Sequence, residues 1–104
     1  MKTLKALLSV RFESTYSSKE LSQLFQQGLE DFRKVPGLIQ KYYVSDENTG
    51  IVGGMYLFEN KDARAAFWNS KLAKDIPARY GVKIETLRIE ELAVTIELME
   101  KEAA

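Results

Sequence analysis

The chain has no cysteine. That excludes disulfides, thiol nucleophiles, iron–sulfur clusters and thiolate zinc sites. It has no histidine either, which removes the usual general base, the usual haem ligand and most transition-metal sites. A carboxylate-only Mg²⁺ or Ca²⁺ site stays open to such a chain, but no acidic loop has the spacing of an EF-hand. Excess charge is absent too: fifteen Lys plus Arg stand against fifteen Asp plus Glu. No global field therefore draws the molecule onto nucleic acid or an anionic membrane. Long apolar runs are missing, so no helix-length segment suits a bilayer core. Met1-Lys2 is followed by Thr3 and Lys5 without an apolar h-region, and the expectation is a cytoplasmic protein. Any chemistry falls to Tyr, Trp, Asn, Lys, Arg and carboxylates, with no metal and no cofactor expected.

What is present suits one domain. The 104 residues are 45% hydrophobic and show no linker, repeat or low-complexity tract, so residues 1–104 read as a single unit. Leu4 to Phe12 alternates with period two, as a strand does. Ser17 followed by Glu20 three positions on predicts a capping box. Leu21, Leu24, Phe25, Leu29, Phe32 and Val35 then form one helical stripe that ends at Pro36-Gly37. Leu38–Asp46 and Ile51–Glu59 read as a hairpin around Asp46-Glu47-Asn48-Thr49-Gly50. Within its first strand, Ile39, Lys41 and Tyr43 share one face, and Leu38, Gln40, Tyr42 and Val44 the other. Gly53-Gly54 reads as a β-bulge. Asn60 caps a second helix, and Lys71 to Arg79 forms a further short helix disturbed at Pro77. From Val82 to Met99 the apolar phase slips near Glu85-Thr86 and near Glu90-Glu91, which predicts a bulge or bend at each.

The order strand, helix, strand, strand, helix, strand predicts an α+β, ferredoxin-like βαββαβ protomer with an antiparallel sheet. Helices cover one sheet face. The other is also apolar, so a homodimer is expected to close it. Residues 61–83 hold six basic and two acidic residues, whereas 85–102 hold six acidic and two basic. An acidic C-terminal arm could pair with the basic stretch of a partner copy, or both could be solvated.

The run Pro36-Gly37-Leu38-Ile39-Gln40-Lys41-Tyr42-Tyr43, then Gly53-Gly54-Met55-Tyr56-Leu57-Phe58-Glu59, with Ala63 to Phe67 after it, resembles the YdhR-type mono-oxygenases. These belong to the dimeric α/β-barrel superfamily, alongside the antibiotic-biosynthesis mono-oxygenases. The resemblance spans about Leu4 to Leu98. It implies two protomers joined sheet to sheet, a C-terminal strand reaching onto the neighbour, and a small pocket between sheet and helices. For some relatives it implies oxygenation of phenolic or polycyclic aromatic compounds without metal or flavin. Fold membership alone does not fix chemistry.

Cofactor-free oxygenation needs a dry pocket, aromatic walls, a base and donors for a substrate anion. Lys41 and Tyr56 are the candidate catalytic residues. Lys41 stands mid-strand on a covered face, either holding or deprotonating a substrate or making a structural contact. Tyr42, Tyr43 and Phe58 join Tyr56 as a candidate aromatic wall, with core packing as the other reading. Trp68 is a candidate for the pocket mouth or a dimer contact. The resemblance implies a role for an Asn and a Trp from this region, which points to Asn69 beside it. Arg11 and Arg88 are candidates for a substrate carboxylate or phenolate, or for rim ion pairs. Tyr80 either covers a pocket or closes a helix. The expected activity is cofactor-independent mono-oxygenation of a small aromatic or quinone-like metabolite. The alternatives are a non-catalytic dimeric ligand-binding or stress-associated protein, or an isomerase, dehalogenase or decarboxylase on the same fold.

Overall fold

A computed structural model describes residues 4–99. Strand β1 (Ala6–Phe12) leads into α1 (Ser18–Arg33), then β2 (Leu38–Ser45), β3 (Val52–Phe58), α2 (Lys61–Trp68), α3 (Lys71–Lys74), α4 (Ile76–Arg79) and β4 (Arg88–Ala93). The strands form one antiparallel sheet in the order β2-β3-β1-β4, the α+β ferredoxin-like arrangement. No helix among the described residues is long and apolar enough to cross a membrane. The acidic stretch beyond residue 99 lies outside the described residues.

Local chemistry explains the elements. The capping box at α1 is present: Glu20 N–H donates to Ser17 Oγ at 3.2 Å, and Ser17 N–H donates to Glu20 Oε1 at 3.0 Å. Asn60 caps α2 by accepting from Ala63 N–H at 2.8 Å. The helical stretch at 71–79 breaks at Asp75 into two single turns, with Pro77 placed early in the second, where its missing N–H costs nothing. Alternation of β1 puts Ala6, Leu8, Val10 and Phe12 into one core with Leu21 and Phe32 of α1, Tyr56 and Phe58 of β3, and Phe67 of α2. The buried Arg64 of α2 donates to the Leu7 and Leu92 carbonyls at 3.0 and 2.9 Å, fastening the helix across the β1–β4 pair. Its guanidinium also meets Glu91 at 3.3 Å.

One expected irregularity falls elsewhere. Gly53 and Gly54 pair in unbroken register with β1 and β2, so there is no bulge at that pair. The register shift lies in β2, between Leu38 and Gln40. Leu38 faces the helices opposite Phe58, and the extra residue Ile39 resets the phase. Lys41 and Tyr43 thereby join Leu38 on the helix face, while Gln40 and Tyr42 turn outward. The first phase slip near the C-terminus, expected as a bulge or bend near Glu85-Thr86, is a 3₁₀ turn at Ile84–Thr86. The second falls inside continuous β4: Ile89 lies on the helix face and Leu92 on the other.

Candidate active site

Lys41 stands opposite Tyr56 in the β2–β3 register. Its Nζ lies 3.3 Å from the centroid of the Phe32 ring, 4.2 Å from that of Tyr43 and 4.6 Å from that of Tyr56. Gly54 makes this possible: a Cβ there would sit 2.9 Å from Lys41 Cε and 3.0 Å from the Tyr56 ring. Among the described residues no carboxylate pairs with the amine. Burial, aided by the nearby Arg79 cation, lowers its pKa to about 7. Roughly half of this amine is therefore uncharged at neutral pH. The neutral form loses the cation–π attraction but avoids the desolvation cost of a buried charge.

Two tyrosines, Tyr43 and Tyr56, belong to this cage, and Tyr80 stands across Phe25 from Tyr43. Burial pushes the Tyr43 hydroxyl up to about 12, and the neighbouring Tyr80 adds to the shift. Burial raises Tyr56 and Tyr80 as well. All three stay protonated at neutral pH and serve as donors, not bases. The Tyr43 and Tyr80 hydroxyls are buried and have no hydrogen-bond partner among the described residues, an expensive state unless a ligand or water supplies an acceptor. Phe25 packs between these two rings, at 4.8 Å from Tyr43 and 5.1 Å from Tyr80. Gly28 of α1 leaves space for the Tyr80 hydroxyl, which a Cβ there would approach to 2.9 Å. Arg79 is held by Asp31 at 3.2 Å.

A cavity of about 240 Å³ opens between α1 and β2, lined by Leu29, Phe32, Arg33, Leu38, Lys41 and Tyr43 among others. An apolar cavity of roughly 150 Å³ accepts benzene in other proteins, so this volume suits one substituted ring. Tyr43 also lines a second hollow of about 220 Å³ beside the first half of α1. Among the described residues no three carboxylates gather as a metal site would require.

Of the residues singled out in the sequence, the fold brings Lys41, Tyr43 and Tyr56 together. Phe58 is fully buried behind them, stacked on Tyr56 at 6.2 Å and packed against Phe67. Tyr42 points out of the opposite sheet face and is 60% exposed, so the four-member aromatic wall is divided between two faces. Arg11 and Arg88 are paired in register on that same outer face. Arg11 meets Glu90 at 3.0 Å, and Arg88 donates to the Leu87 and Glu85 carbonyls. Trp68 is half-buried against the core, whereas Asn69 is exposed and donates to the Ala65 carbonyl at 2.9 Å. The sequence reading missed Phe32 and Gly54 as parts of the cage, and Arg79 as the cation that acts on its amine. Phe32 was one member of an ordinary helix stripe, and no local pattern distinguishes it. Tyr80 is 2% exposed. Its hydroxyl reaches the inner face of α1, beyond a helix-closing role.

The family model described as "Putative mono-oxygenase ydhR" matches residues 7–101. The chain belongs to that family. Solved structures of low identity share its fold. A Nitrosomonas europaea protein of unknown function superposes with a TM-score of 0.75 at 16% identity, covering 98% of this chain and 100% of its own. SnoaB, a cofactor-independent oxygenase from Streptomyces nogalater, gives 0.71 at 15%, covering 92% and 98%. A monooxygenase from the gene ActVA-Orf6 of Streptomyces coelicolor, in complex with nanaomycin D, gives 0.67 at 13%, covering 94% of each chain. No curated protein matches significantly.

Proposed function

We propose that this family member is a cofactor-independent mono-oxygenase of a small phenol, hydroquinone or quinone-like metabolite, working as a cytoplasmic homodimer. The observation that supports the reading is the Lys41 amine, without a carboxylate partner among the described residues, in its cage of Phe32, Tyr43 and Tyr56 at the wall of a cavity sized for one ring. A phenol in that cavity gives its proton to the neutral amine. The ammonium then sits beside the phenolate, which offsets its own burial cost. The hydroxyl of Tyr43, which lines the cavity, is a donor with no acceptor among the described residues, and the substrate oxyanion supplies one. The electron-rich anion then passes an electron to O₂. Two of the proteins that share the fold bear the words oxygenase or monooxygenase, which agrees with this chemistry.

Oxygen uptake against a panel of phenols and hydroquinones tests the reading, with labelled O₂ traced into the product by mass spectrometry. The expected result is turnover of at least one substrate, with kcat/KM reduced on the order of a hundredfold or more in Lys41→Met, the usual range for a lost general base. A panel without uptake, or uptake unchanged in a folded Lys41→Met protein, would remove the amine from the mechanism.

A further inference from the structure

We infer that Lys41 is a carbonyl-trapping amine, which condenses with a small aromatic aldehyde or ketone bound between α1 and β2 to form an imine. The inference uses the same amine as the oxygenase reading but does not rest on it, because imine formation needs no oxygen.

The argument starts from what a structural lysine would have. A lysine kept for stability reaches solvent or a carboxylate. This one has little of the first and none of the second: the residue is only partly exposed, its Nζ lies over three aromatic rings, and among the described residues no acidic side chain meets it. Gly54 leaves room for the stem that reaches this place. Lys41 also lines the cavity of about 240 Å³, where a planar carbonyl compound can meet it. Desolvation in an apolar pocket and a neighbouring cation are the two devices that expose an amine lone pair at neutral pH. Lys41 has both, the cation being Arg79.

The step balances without a cofactor. The Nζ lone pair attacks the carbonyl carbon and a C–N bond forms. The carbonyl π pair moves to oxygen, which takes up a proton while nitrogen gives one up. The carbinolamine C–O bond then breaks, water leaves, and C=N forms. Nothing is oxidised or reduced. A phenolic hydroxyl held protonated, such as that of Tyr43, is the type of donor that the departing oxygen needs. The imine is a sink for electrons released at the adjacent carbon, which connects this site to decarboxylation or proton-transfer chemistry of carbonyl compounds.

The test uses the full chain under anaerobic conditions, with benzaldehyde as the probe and cyanoborohydride to reduce any imine to a stable benzylamine. Peptide mapping compares the labelling rate of all ten lysines from mildly acidic to alkaline pH. Lys41 is expected to label at neutral pH on the order of tenfold faster than any other lysine, because its uncharged fraction is so much larger. Its rate should reach half its plateau near pH 7. Lys41→Met should lose only this fast adduct. Even labelling across the lysines, or a Lys41 rate that rises only in the alkaline range, overturns the inference. Since the mapping on the wild-type protein decides the matter, a variant that fails to fold does not obscure it. Trapping without oxygen uptake would support the imine and overturn the oxygenase reading; uptake without trapping would do the reverse.

Discussion

A lysine that loses its proton on folding leaves a thermodynamic mark as well as a chemical one. In the unfolded chain Lys41 binds its proton up to about 10.5, its ordinary value, whereas in the fold it releases it near 7. Between those two values the unfolded state holds more protons, so stability rises with pH. Below pH 7 the cost of burying the amine is fully present. Above about pH 10 the sign reverses, because the unfolded Tyr43 ionises while the folded one holds its proton to about 12. Urea denaturation of the wild-type protein should therefore show a stability gain approaching 1.4 kcal/mol per pH unit in the middle of the window, the limit for one proton. Lys41→Met fills the same space without a charge. Its curve should lie above the wild type at neutral pH and lack that slope. Parallel curves for the two proteins would mean that the amine keeps its charge and its water in the fold.

At the scale of elements, the site depends on the phase of β2. Removing Ile39 would restore simple alternation from Leu38 onward: Gln40, then next after Leu38, still points outward, and Lys41 and Tyr43 stay on the helix face. The Ile39-deleted protein should therefore keep the Lys41 amine titrating near pH 7 and lose no more than about 1 kcal/mol of stability in a denaturant titration. If the amine regains an ordinary lysine pKa, the bulge itself rather than the register holds it in the cage. This bulge also marks the limit of what could be read in the sequence. Capping at Ser17 and Asn60, the hairpin turn at Asp46–Gly50 and the alternation of β1 are short-range effects, each visible within a few residues, and together they define the ferredoxin-like order. Lys41 and Tyr43 could be placed on one face for the same reason. The cage could not be read. It joins Phe32 from α1, Tyr56 from β3 and a glycine whose role is to be small, and those meetings depend on register and layer packing. Arg11 and Arg88 illustrate the same limit: their pairing across β1 and β4 on the outer face follows from the sheet order alone.

For the whole molecule the open question is the sheet face that no helix covers. Its register places Leu7, Met55, Leu57 and Leu92 beside one another, with Val44 and the exposed Tyr42 toward the β2 edge. Arg11 and Glu90 form an ion pair toward one end of this surface. An apolar sheet face with charges of both signs at its margin can complement a copy of itself, and an isologous pair is the commonest way such a face is closed. Leu57→Glu puts a carboxylate amid that surface and leaves the helix face untouched. Native mass spectrometry and light scattering should find the wild type as a dimer. The variant should dissociate at least a hundredfold more readily, the usual scale for a charge buried without a partner in an interface. A wild-type monomer at micromolar concentration, or a variant that stays dimeric, would contradict sheet-to-sheet assembly. The same variant asks whether the two faces work independently. Leu57 is next to Tyr56 in the chain, but its side chain leaves the opposite side of β3. If the dissociated protein still titrates its Lys41 amine near pH 7, the cage belongs to each protomer alone. If the amine regains an ordinary lysine pKa, the partner's sheet is what keeps Gly54 and Tyr56 pressed against it.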